Sequence, residues 1–199
     1  MSLIIEDLNN KPNHHVKKHT YWEKHGIEIA RYRLPVGDYV LSNSKIMDML
    51  ARKKVRGIPP KMMDFLGTYT VCVDTKKDIL ELVGNICGKQ HERFRDELIL
   101  AKNNGIKLYI LVENEGGLIK GTKDIYNPTI RNISQLHSWK NPHLFKWKNG
   151  ERVYPKATKG YILQKACYTM QAKYGCELIF CTPSESGKRI LELLGDKDG

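Results

Sequence analysis

Apolar and polar positions follow two rhythms along this chain, and the change falls near Lys77. Before it, short β-like runs dominate: SLIIED at the start, IEIARYRLPVGDYVLS with a bend at 35–37, and TYTVCVD, rich in β-branched residues. Between the first two lies HHVKKHTYWEKHG, a predicted helix stopping at Gly26. After Lys77 the apolar spacing turns helical. KKDILELVGNIC and QHERFRDELILAKNNG predict one broken or two successive helices, with Gly84 and Gly88 as weak points and Gly105 as the stop. IKLYILVEN is almost continuously apolar, as a central strand covered on both faces should be. TKGYILQKACYTMQAKYGC reads as a helix, ELIFCTP as another buried strand, and GKRILELLG as a closing helix.

Strands first, then alternating helices and strands, predict an α/β fold: a mixed central sheet flanked by helices. The simplest organisation is a single domain over 1–199 with two basic insertions, at about 43–69 and 118–157. No internal repeat or low-complexity linker divides it.

Composition narrows the class. With 41% hydrophobic and 28% charged residues the chain reads as soluble and globular, with no apolar run near membrane-span length and no secretion-signal layout at its start. Five cysteines without a CxxC pair, two of them inside apolar strands, suit a reducing cytoplasm. The net charge of +11 points to an acidic partner, most often nucleic acid. Its excess gathers in two stretches. Residues 44–64 include Lys53, Lys54 and Arg56, while 138–160 interleaves basic residues with Trp139, Phe145, Trp147 and Tyr154. Cations neutralise phosphates and aromatics stack on exposed bases, whereas a solvated loop with its aromatics in the core is the alternative.

Candidate chemistry lies at strand ends. In VCVDTK, strand alternation puts Cys72, Asp74 and Lys76 on one face. A salt-bridged strand end is a common arrangement. Here, however, Asp38 sits on an earlier strand able to neighbour this one, and Asp7 or Glu6 ends the first strand. Converging carboxylates repel one another unless a cation sits among them. A hard divalent ion such as Mg²⁺ suits oxygen ligands, polarises phosphoryl oxygens and activates water, and Lys76 can then orient that water or neutralise phosphate charge.

VGDYV followed by VDTK resembles the XPF-type nuclease domain of the PD-(D/E)xK superfamily, whose signature is Gly-Asp, then Glu-Arg-Lys and a later aspartate. HERFRDELILAKNNGIKLYILVEN is similar to that family's arginine-bearing helix and next strand, and YGCELIFCTPSESGKRILELLG to its closing strand and helix. The likeness is greatest to short forms from phages and bacterial mobile elements, without a helix-hairpin-helix tail. By position, the resemblance implies Gly37-Asp38 as the Gly-Asp, Asp74 as the glutamate, Thr75 as the arginine and Lys76 as the lysine. Asp7 corresponds to the first-strand aspartate and Arg93 to a phosphate-contacting arginine. Departures stand at Asp74, Thr75 and Asn9, and at Leu80, where the final aspartate belongs; a one-residue slip offers Glu81 instead.

The expectation is a restriction-endonuclease-like metal-dependent DNA endonuclease. Asp38 and Asp74 hold Mg²⁺ or Mn²⁺ with help from Asp7, Lys76 positions the nucleophile, and Arg93 and the basic insertions grip DNA. The resemblance implies branched or flap-like substrates and a homodimer. The rival is a catalytically inactive DNA-binding module of the same fold. Weaker candidates are His15 with His19 as a zinc pair, His91 near a phosphate, and Glu97 as metal support or simply a surface partner of Arg93. No phosphate-binding loop or Gly-x-Ser-x-Gly elbow is present.

Overall fold

A computed structural model describes residues 2–11 and 16–195. Strand β1 (Leu3–Asp7) leads through α1 (Val16–Lys24) to β2 (Glu28–Tyr32), β3 (Tyr39–Leu41), α2 (Ser44–Val55) and β4 (Val71–Lys76). Helices α3 (Ile79–Cys87) and α4 (His91–Asn103) precede β5 (Lys107–Glu113). Two small hairpins follow, β6 (Gly117–Leu118) with β7 (Tyr126–Asn127), and β8 (Trp147–Lys148) with β9 (Glu151–Arg152). The chain closes with α5 (Gly160–Tyr174), β10 (Glu177–Cys181) and α6 (Ser186–Leu194).

One six-stranded mixed sheet, in the order β10-β5-β4-β3-β1-β2, organises these elements. The β4–β5, β5–β10 and β1–β2 pairs are parallel, joined by helical crossovers, while β3 runs antiparallel to both β1 and β4. β5 is covered on both faces, as its apolar run requires. Leu108, Ile110 and Val112 join a cluster that includes residues of α3, α4 and α5, whereas Leu111 joins Trp22 of α1 and Ile190 and Leu191 of α6. The buried Trp22 indole donates to the Gly187 carbonyl at 2.9 Å, tying α1 to α6 across that second layer.

The two stretches identified by charge have structured bases. Residues 43–69 form α2, capped by the Asn43 side chain accepting from Ile46 N, and bury Ile46, Met49 and Phe65 in the main core. From 118–157, Ile130, Ile133, Leu136 and Trp139 also enter that core. Charge alone predicted no helix at 44–55; the cap at Asn43 followed by Ile46, Met49 and Leu50 is the signal that marks it. Between α3 and α4 the break falls at Gly88, where a Cβ would lie 2.8 Å from the Gly84 carbonyl oxygen. No helix among the described residues is long and apolar enough to cross a membrane.

Candidate active site

The Gly37-Asp38 pair stands immediately before β3, where the bend after β2 turns back into the sheet. Gly37 has φ +76°, and a Cβ there would sit 2.9 Å from Cys72 on β4. Only glycine meets both demands without displacement. Asp38 continues the ladder: its N–H donates to the Val73 carbonyl (2.8 Å) and its carbonyl accepts from Asp7 N (2.7 Å). The carboxylate is aimed by Thr75, whose backbone N–H and hydroxyl both donate to Asp38 Oδ2, at 2.8 and 2.6 Å. Thr75, which the sequence resemblance sets in place of an arginine, therefore orients the aspartate.

Asp74 and Lys76 share a face of β4, as strand alternation requires, and pair at 2.5 Å. Both are buried, and the ammonium also lies 4.8 Å from the Phe94 ring centroid. Burial drives the Asp74 carboxyl well above its ordinary pKa; Lys76 opposes the shift, and Asp38 and Glu97 reinforce it. Burial alone would lower the Lys76 pKa, but Asp74, Asp38 and Glu97 outweigh it and raise it. Three carboxylates, Asp74, Asp38 and Glu97, thus act on the Lys76 ammonium.

The structure brings most of the candidate residues together. A cleft of about 690 Å³ is lined by Asp7, Asp38, Asp74, Lys76, Glu81 and Arg93, among others. Asp7 ends β1 with its Oδ2 accepting from Leu34 N and its Oδ1 from Asn9 N, both at 2.7 Å. Burial raises its pKa while these amides oppose the rise. Asp7 therefore holds the loop beside the site. Glu81 accepts from Lys77 N (2.9 Å), and Asp78 caps the same helix by accepting from Glu81 N. Leu80 packs against the main core. Arg93 is exposed on the cleft wall. Lys53 is ion-paired with Asp64 (2.7 Å), and Lys54 and Arg56 are exposed near the end of α2; none of these three lines the cleft. His91 is exposed and lies outside that lining. His15 falls outside the described residues, while His19 contacts Glu6 at 3.2 Å.

Glu97 departs from the preferred surface-pair reading. It lines the cleft and its Oε1 accepts from Gly37 N at 2.9 Å, and burial raises its pKa. A buried ion pair between Lys18 of α1 and Glu113 of β5 also enters the lining. Glu113 ends an apolar strand just as Asp74 nearly does, and so carries the same sequence signal; Lys18 carries none comparable.

Among the described residues no three His, Cys, Asp or Glu side chains are grouped to hold a metal ion. Mg²⁺ does not need such a cage, because it is commonly held by one or two carboxylates with water and substrate phosphate completing the shell. Asp38 and Asp74 provide that all-oxygen donor chemistry in a cleft lined by seven carboxylates against five lysine and arginine side chains, so a hard divalent cation fits the residues present.

Comparison with known proteins bears on the fold and the family. The chain is similar to XPF from Aeropyrum pernix, solved in complex with DNA, with 13% identity and a TM-score of 0.50 over 98% of this chain and 64% of that one. It therefore spans about two thirds of that protein, and at this identity the likeness is one of fold. No curated protein matches. The ERCC4 domain matches residues 8–194. With its restriction-endonuclease-like mixed sheet and its Gly-Asp and Asp-x-Lys motifs in one cleft, the chain belongs to the ERCC4 domain family, the XPF-type nuclease group.

Proposed function

We propose that this protein is a divalent-cation-dependent DNA endonuclease hydrolysing phosphodiesters in branched or flap-like DNA, working as a homodimer in a reducing cytoplasm. The observation that carries the reading is the meeting of Asp38, Asp74 and Lys76 in one cleft. Asp38 and Asp74 would hold Mg²⁺ or Mn²⁺, with Asp7 and Glu81 in support. When bound, the ion polarises a phosphoryl oxygen and lowers the pKa of water. Lys76 keeps its proton and offsets charge gathering on the phosphate, and its fixed place against Asp74 and Phe94 requires little reorganisation. Thr75 holds Asp38 in one orientation, and Glu97 secures the Gly37 turn. Arg93 on the cleft wall, with Lys53, Lys54 and Arg56 farther off, supplies cations for the DNA backbone.

The test is cleavage of labelled linear duplex, 3′ flap, fork and four-way junction with Mg²⁺, Mn²⁺ or chelator, by wild type, Asp74→Asn and Lys76→Ala. Metal-dependent cutting lost in both variants supports the reading, with branched substrates cut in preference to linear duplex. Salt-sensitive binding without cutting under either metal would replace it with the inactive DNA-binding module. Sedimentation of the free protein checks the dimer, which a monomer throughout the working concentration range would exclude.

A further inference from the structure

Lys77, just after β4, and Glu113, the last residue of β5, line the cleft. Their next neighbours in the chain, Asp78 and Asn114, line a second groove of about 260 Å³ whose wall also includes Ile79, Leu80, Trp139 and Pro142. Pro142 opens the segment that leads into the β8–β9 hairpin. The base of this arm is firmly held. Asn127 and Lys140 exchange two hydrogen bonds (2.8 and 2.7 Å), and a Cβ at Gly160 would strike the Leu136 and Trp139 carbonyl oxygens at 2.2 and 2.4 Å. Beyond it the hairpin turns at Asn149-Gly150, with φ +52° and +80°, the positive pair that a tight two-residue hairpin needs.

The hairpin carries exposed rings beside cations. Trp147 is 59% exposed with the Arg152 guanidinium 5.2 Å from its ring centroid, and Tyr154 is 46% exposed with Lys146 at 5.8 Å. Across 138–160 the charged residues are Lys140, Lys146, Lys148, Arg152, Lys156 and Lys159 against Glu151. Cations alone would serve a duplex, whose base faces are hidden. Exposed aromatic faces among cations instead match unpaired nucleotides, which offer phosphates and open base faces together. We infer that the 142–157 arm binds unpaired DNA, Trp147 stacking on a base of a single strand that leaves the cleft along the groove. The last clause rests on the proposed nuclease reading; the single-strand preference does not.

Tryptophan emission tests this directly. The chain has three tryptophans, and Trp22 and Trp139 are buried at 0% and 6% exposure, so Trp147 reports on the surface. In chelator, a single-stranded oligonucleotide should quench emission more than a blunt duplex of the same length. Trp147→Phe should remove the quench while keeping affinity within about 3-fold, because a ring remains to stack. Trp147→Ala should weaken single-strand binding by about 5- to 100-fold and duplex binding by less than about 2-fold. Equal losses on both DNAs, unchanged single-strand affinity in Trp147→Ala, or no DNA binding would overturn the inference. So would a blue shift with anionic phosphatidylglycerol vesicles and none of the DNA response, which would assign the arm to a lipid surface. Cleavage enters none of these readouts, so failure of the nuclease reading is seen separately in the metal-dependent assay.

Discussion

Gly37 and Gly150 both have a positive φ, +76° and +80°, and opposite surroundings. Gly37 is pressed against Cys72, donates to Glu97 and delivers Asp38 to a ladder shared by β1 and β4. Gly150 turns an exposed hairpin, and a Cβ there would meet nothing within 4 Å. The same local requirement thus supports a tightly packed turn at the proposed chemical centre in one place and a surface arm in the other. Catalytic groups need positions set by several elements at once, whereas a recognition arm needs a fixed base and an open tip.

The contrast can be broken most sharply at Asp74. If the cleft is the chemical centre, Asp74→Asn should lower metal-dependent cleavage by about 10²- to 10⁴-fold with DNA binding retained; a loss below tenfold in single-turnover assays would move the chemistry elsewhere. Gly37→Ala should follow, combining left-handed strain with overlap against Cys72 for about 3 kcal/mol, or a fall of roughly 10 °C in Tm. Thermal unfolding within 2–3 °C of wild type (about 1 kcal/mol) would show that the turn is not held as described. Thr75→Val removes the hydroxyl at 2.6 Å from Asp38 but keeps the backbone donor, so about 1 kcal/mol and a 3- to 10-fold loss of cleavage are expected, with a raised Mg²⁺ requirement. A titration of rate against Mg²⁺ reads both quantities. Smallest is Gly150→Ala, which strains the hairpin by about 1–2 kcal/mol locally yet should leave global unfolding almost unchanged, because the arm's tip adds nothing to the core. A Tm loss equal to that of Gly37→Ala would erase the distinction between the two regions.

Much of the fold and of the site is legible in the sequence. The closing strand and helices, the central β5 and the common face of Asp74 and Lys76 follow from periodicity. Other features lie in local signals that charge conceals: Asn43 capping α2, and Asn149-Gly150 between short β runs. Thr75 illustrates a deeper limit. As a replacement for arginine it reads as a lost charge, yet its hydroxyl and amide gain a purpose only because β3 lies beside β4.

The sequence by itself determined the order of strands and helices outside 43–69 and 118–157, the alternation that puts Asp74 beside Lys76, and the basic excess of those two stretches, since each is a property of neighbouring residues. Only the tertiary structure decided that Glu97 meets Gly37 across 60 residues, that Lys18 pairs with Glu113, and that Trp139 is buried while Trp147 is exposed. Those outcomes depend on sheet order and on which helix covers which face. Local periodicity carries no information about either, because long-range packing chooses among faces that the chain makes equally available.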